Sequence, residues 1–305
     1  MSAPGTTPPP PGAWRRFRRN RVALGALGLL LLIIALAIAS PVLFHYDPGT
    51  TTKAQFEPPS GAHIFGTDVN GRDVLSRVVQ GARISLLVGL CGALISFFIG
   101  TTYGMISGYH GGKTDTLMMR FVDIMFSIPR LLLIIIAIYT FDAGLKNWMA
   151  AHGLINFVGF SRIILIIVSL GVNEWLNLAR IVRGQVLSLR EQQFVLAARA
   201  LGQSHTKIIV RHLFPNLIGL VIVYLTLTIP AVILDESFLS FIGLGVQAPQ
   251  ASWGTLLSDG ANVINPVRSN WWLLVFPAAA MSATLLALNF VGDGLRDAFD
   301  PRQRR

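Results

Sequence analysis

Six apolar runs divide this 305-residue chain: Val22–Phe44, Ile84–Tyr103, Phe121–Thr140, Ile163–Leu178, Leu217–Leu234 and Trp271–Val291. Each approaches the ~20 residues a helix needs to cross a hydrocarbon core. Lipid leaves no backbone N–H or C=O unpaired, and uninterrupted runs of this length pair theirs only as helices. The expected class is therefore all-α, a polytopic membrane protein with six transmembrane helices. Composition agrees, with 52% hydrophobic and 13% charged residues, against about a quarter charged in a soluble domain.

The first run follows a basic segment, Trp14–Arg21, and Ala37-Ile38-Ala39 imitates a signal cleavage site. At 23 residues it exceeds the usual signal-peptide core of about 7–15, so a retained anchor is expected. Residues 1–13, rich in Pro, Thr and Gly, read as a disordered tail.

The net charge of +10 raises nucleic acid as a partner, but the basic residues occupy the gaps between apolar runs rather than one helix face. Gaps on one side hold seventeen Arg and Lys; those on the other hold five, Lys53, Arg72, Arg77, Lys146 and Arg268. The positive-inside bias places both termini in the cytoplasm, with 45–82 and 237–270 outside. The single cysteine, Cys91, excludes an internal disulfide and a CxxC site.

Several motifs tempt a chemical reading. Gly112-Lys113-Thr114 imitates a phosphate loop, but Ser107 stands where its first glycine belongs, and membrane runs flank it. Asp68, Asn70 and Asp73 in GTDVNGRDVLSR lack the other ligands of a calcium loop, so a turn with local Asp–Arg pairs is expected. The histidines lack zinc spacing. Asp123, Arg130, Glu174, Asp235 and Glu236 lie at or near membrane depth, where charges pair or line a cavity. Arg120 and Asp123 are spaced to pair, and Pro129 should kink the third span. Gly92, Ser96, Gly100, Gly104 and Gly108 put small residues on one face of the second span, for close packing within the chain or on a sister subunit.

One stretch is neither apolar enough to span nor equipped for catalysis: EQQFVLAARALGQSHTKIIVRHLFPN, Glu191–Asn216. Ser188 to Glu191 forms a capping box, predicting a helix of about 13 residues, ~20 Å long. Phe194, Ala197, Ala198 and Leu201 fall on one apolar face, Gly202 supplies a left-handed stop, and Ser204 caps a second short helix ending before Pro215. Such a face enters a partner's groove or rests on lipid.

Leu196-Ala197-Ala198, Gly202 and Pro215 resemble the EAA loop of ATP-binding-cassette importer permeases. GTDVNGRDVLSR with GARISL, SFLSFIGLGVQAPQASWG (Ser237–Gly254) and NFVGDGLRDAFDPR (Asn289–Arg302) resemble the C-type permease subunit of dipeptide, oligopeptide and nickel importers. The resemblance runs from about Trp14 to Arg302. Leu196 stands where that loop has its glutamate, with Glu191 five residues earlier, and Tyr139–Arg162 is longer than usual.

The resemblance implies a type I importer permease fold in the bacterial inner membrane. Its parts would be a cytoplasmic tail (1–21), a first helix (22–44), an outer loop (45–82), a core (83–291) carrying the 180–216 loop, and a tail (292–305). It implies a B-type sister permease, two ABC ATPase subunits or domains and an extracytoplasmic peptide-binding protein. ATP and Mg would sit on the ATPases, this chain holding no cofactor or metal and catalysing nothing itself. Glu191, Phe194, Ala197, Ala198, Leu201 and Gly202 would form the coupling helix that docks on an ATPase. Asp235, Glu236, Ser237 and Trp253 are candidates for an outer gate or a binding-protein contact. Nickel-chelate import is the alternative within the family. An ion-coupled secondary transporter is remote, since the two halves lack the inverted repeat it would show.

Overall fold

A computed structural model describes residues 13–43, 49–263 and 269–299. Residues 1–12 of the tail expected at 1–13, the end of the first run at Phe44, and Asp300, Pro301 and Arg302 lie outside these, while Ala13 already opens a helix. The helices are α1 (Ala13–Phe17), α2 (Arg21–Leu43), α3 (Val74–His110), α4 (Gly112–Ser127), α5 (Arg130–Ala151), α6 (Ser161–Leu189), α7 (Gln193–Ala200), α8 (His205–Ile208), α9 (Phe214–Phe241), α10 (Trp253–Val263) and α11 (Trp272–Phe299). A 3₁₀ turn, Ile155–Phe160, leads into α6, and a π turn, Ile209–Leu213, joins α8 to α9. Six helical segments are long and apolar enough to cross a membrane.

α3 begins ten residues before the apolar run at Ile84. Asp73 caps it, accepting from the Ser76 N–H at 2.8 Å. Val74 and Val78 are buried with Leu256 of α10 and Trp272 and Leu273 of α11. The outer loop expected over 45–82 therefore gives 74–82 to the helix. Asp68 holds Arg72 and Arg77, each at 2.7 Å, which are the Asp–Arg pairs expected of this turn.

The third span is two helices rather than one kinked one. The residue before a proline avoids helical angles, and Ile128, ahead of Pro129, is extended (φ −89, ψ 130). The spanning segment is α5, which starts at Arg130, so the apolar run at 121–140 straddled a break. The Arg120–Asp123 pair does not form: Asp123 accepts from Arg180 of α6 at 2.7 Å.

The small-residue face of α3 packs within the chain, against α6. A Cβ at Gly100 would lie 2.8 Å from the Trp175 carbonyl oxygen; at Gly104, 2.5 Å from that of Ala179; at Gly108, 2.8 Å from that of Arg183. These separations are shorter than van der Waals contact, so only glycine lets the helices approach to backbone distance. Leu178, Val182 and Val186 of α6 sit directly over the three glycines. At the other edge α2 lies along α11, where Ala23 fills the space a Cβ at Gly294 would need.

This packing overrides the capping box. Val186, fully buried beside Gly108, keeps α6 regular past Ser188 to Leu189, and the next helix starts at Gln193. The expected loop at 180–216 shrinks accordingly to 190–204. Pro215 does not end a helix either. It stands in the first turn of α9, where a missing N–H costs least, and the π turn before it carries the chain straight through.

Candidate functional site

The 190–204 stretch leaves α6 and returns along α8. Gln192 takes an extended conformation (φ −73, ψ 147) ahead of α7. Gly202, at φ +71, ends the turn in the left-handed region, and the next N–H, of Gln203, donates back to Ala198 O at 3.1 Å. Nothing crowds Gly202, so backbone conformation selects glycine here. Ser204 is extended as an N-cap, but its side chain makes no capping bond.

α7 spans eight residues and has two faces. Val195 and Ala198 are buried in one cluster with Tyr109, Val186, Ile208 and Leu213, so the helix is seated on α3, α6 and the α8–α9 junction. Phe194, Leu196, Ala197 and Leu201 are exposed, Leu201 by 80%. Of the four residues expected on one docking face, three point outward. Ala198, at 3% exposure, is spent on internal packing. Gly202 is exposed, as is Glu191, 3.5 Å from its neighbour Arg190.

A polar frame fixes this seat. Arg190 donates to Gly108 O at 3.2 Å. Tyr109 meets His205 Nδ1 at 2.9 Å, and Arg199 stacks 4.8 Å above the Tyr109 ring. About two turns back along α6, Arg183 grips Asp115 through both carboxylate oxygens, at 2.5 and 2.6 Å, and Ser107 donates to Asp115 Oδ1 at 2.5 Å. The Arg183 guanidinium holds the Asp115 carboxyl below the usual carboxylate range, against the smaller opposing effect of burial. Sequence reading missed this pair because its partners are 68 residues apart, on helices whose contact only the glycine face specifies.

The four weaker candidates separate. Asp235 accepts from Arg130 Nη2 at 2.6 Å. Glu236 is fully buried, accepting from Ser240 at 2.7 Å and Ser85 at 3.1 Å, with Ser237 at 3.4 Å. The Ser85 hydroxyl in turn accepts from the Trp253 N–H at 3.2 Å, and the Trp253 indole donates to Val78 O at 3.1 Å. Glu236, Ser237 and Trp253 thus form an internal joint between α3, α9 and α10 and offer no surface to an external protein. Gly254 belongs to the same joint, since a Cβ there would lie 2.4 Å from Ser237 O.

Lys113 and Thr114 open α4, which follows α3 after a single glycine, so the strand that precedes a phosphate loop has no place here.

The chain's sequence and fold are similar to those of known proteins. Residues 100–305 match the family described as binding-protein-dependent transport system inner membrane component. This chain belongs to that family. Residues 12–59 match the N-terminal transmembrane domain of oligopeptide transport permease C. The chain is 44% identical over 294 residues to a dipeptide transport system permease of Bacillus subtilis, covering 96% of this chain and 86% of that one. It is 46% identical over 295 residues to an oligopeptide transport system permease of Haemophilus influenzae, covering 96% and 88%. An inward-facing structure of the MetNI methionine ABC transporter superposes with a TM-score of 0.54 at 19% identity, covering 73% of this chain and 96% of that one. At that identity the likeness speaks for the fold, the type I importer permease fold expected from the sequence.

Proposed function

We propose that this chain is one of two permease subunits of an ATP-driven importer of dipeptides and oligopeptides, and that α7 is its coupling helix. The observation that carries this is the two-faced α7, whose inner face is locked into the bundle while Phe194, Ala197 and Leu201 stand outward. A helix seated this firmly transmits force instead of folding away, and an apolar outer face suits a groove in another protein. Cytoplasmic ATPase subunits, holding ATP and Mg, would close on hydrolysis cycles and push α7. The push would rock this chain against a B-type sister permease between inward-open and outward-open states. A binding protein outside would deliver the peptide. The positive-inside bias supports an orientation with both termini and α7 in the cytoplasm. The substrate class rests on the dipeptide and oligopeptide permeases to which the chain is similar.

The test is reconstitution. Both permeases, the ATPases and the binding protein in liposomes should accumulate a labelled dipeptide only with ATP, and this chain alone should hydrolyse none. Accumulation of peptide without ATP or without the ATPases would refute the reading.

A further inference from the structure

Arg130 opens α5 at the Ile128–Pro129 break and reaches two other helices. Its Nη1 donates to Glu174 Oε1 on α6, and its Nη2 donates to Asp235 Oδ1 on α9, 2.6 Å away. Glu174 is thirteen residues from the start of α6 and fifteen from its end, roughly 20 Å from either end of that helix, while Asp235 is six residues from the end of α9. Both carboxylates are largely buried, yet 41% of the Arg130 side chain is exposed.

A purely structural ion triple leaves two facts over. One cation faces two carboxylates, so the side chains sum to one negative charge. The amino end of α5 adds about half a positive charge, which does not close the deficit. Asp235 Oδ2 is also buried and has no hydrogen-bond partner among the described residues. At membrane depth an unpaired carboxylate oxygen is costly. A donor that also carries a positive charge would answer both.

We infer that this cluster is a transit site for the protonated α-amino group of a peptide. The inference rests on the peptide-import reading above and names what the path recognises. The incoming ammonium takes Asp235 while Arg130 stays on Glu174, so two cations face two carboxylates. Arg130, being the exposed member, is the one that yields. The ammonium satisfies the unpartnered Asp235 Oδ2, and that gain is offset by the Oδ1 bond that Arg130 gives up. The peptide is therefore held loosely enough to leave, as a conducting path requires.

The experiment uses the complete complex, binding protein included, in liposomes. Uptake of a dipeptide is compared with uptake of its N-formyl analogue, which carries no amino charge. Each is supplied at a concentration saturating the binding protein, so that protein's own preference drops out. The wild-type complex should favour the charged peptide at least tenfold, and Asp235→Asn should reduce that ratio below threefold. Assembly is checked by co-purification of the ATPases. Should Asp235→Asn fail to assemble, Glu174→Gln decides on the same criterion, because it removes the excess negative charge before the peptide arrives. A ratio unchanged from wild type in an assembled variant, with both peptides slowed equally, would show a structural triple and overturn the site. A wild-type complex that moves neither peptide would instead sink the peptide-import reading and this site with it.

Discussion

Asp115 and Arg183 tie α4 to α6 through two parallel charge-assisted hydrogen bonds, 2.5 and 2.6 Å long. They act beside one apolar anchor, the buried Val122 against Trp175, Leu176 and Ala179 of α6, and the more exposed Asp123–Arg180 pair. Asp115→Asn should therefore lower stability by about 2 kcal/mol, in the range for hydrogen bonds to charged groups. The pH dependence has a definite sign. The native carboxyl titrates lower than the unfolded one, so the pair's contribution is complete at neutral pH and disappears only as pH falls through the lowered value. Thermal unfolding in detergent should show a constant gap between wild type and Asp115→Asn from pH 7 to about 4, closing below that. A gap that narrows between pH 7 and 5 would contradict this.

Gly104→Ala and Gly184→Ala make a matched comparison. A methyl at Gly104 meets the Ala179 carbonyl and should cost about 1–3 kcal/mol by overpacking. At Gly184 nothing lies within 4 Å, so alanine should be neutral or stabilise the helix by about 0.5–1 kcal/mol. Melting temperatures of the two purified variants should move apart. Equal shifts would disprove the assignment of the α3–α6 contact.

Leu201→Asp and Ala198→Trp should both abolish uptake, for different reasons. Leu201 is exposed, so aspartate there leaves the fold of this chain intact and places an unpaired charge in the proposed ATPase groove. Ala198 is internal, and tryptophan there has to displace Val195, Ile208 or Leu213. The first variant should therefore melt like wild type and lose its ATPases on purification, while the second should melt early. Retention of the ATPases by Leu201→Asp at the wild-type ratio would argue for a helix that rests on lipid.

Glu236→Ala should cost about 3 kcal/mol, since it orphans the Ser85 and Ser240 hydroxyls and opens a void around a fully buried position. Ser240 also accepts from the Val246 N–H at 3.0 Å, so the loss should spread to the 242–252 loop. Limited proteolysis is the readout. Cleavage within 242–252 should accelerate in the variant, and an unchanged cleavage rate would deny the joint.

Orientation has its own test. With Cys91 replaced, Ser204→Cys and Ser258→Cys should label from opposite faces with a membrane-impermeant thiol reagent. Labelling of both from outside would overturn the cytoplasmic placement of α7.

Much of the architecture was legible because the bilayer imposes a single rule on apolar runs. Three of the six runs fell inside one helix each, two more matched α2 and α11 but for one end residue, and the Gly100–Gly104–Gly108 face announced a close helix contact. Legibility failed where tertiary packing outweighs local signals. Ser188 and Glu191 have the spacing of a capping box, yet the burial of Val186 keeps the helix going. Pro215 looks like a stop, and a π turn absorbs it. Residues 74–82 read as loop because they are mixed in polarity, and they are helical because α10 and α11 cover Val74 and Val78. The charged residues at membrane depth were visible one by one, whereas their pairings, Arg130 with Glu174 and Asp235, or Asp123 with Arg180, needed the helices in place.

The three glycines of α3 bear on how a machine made of this chain moves. Leu178, Val182 and Val186 each sit in a notch above a glycine, and the notches repeat every four residues. For α3 to slide along α6, all three side chains would have to climb out together and travel about 6 Å to the next equivalent seats. No gentle gradient connects one register to the next. A displacement applied to one of these helices is therefore not dissipated as creep between the two. With their register locked, α3 and α6 move as one beam.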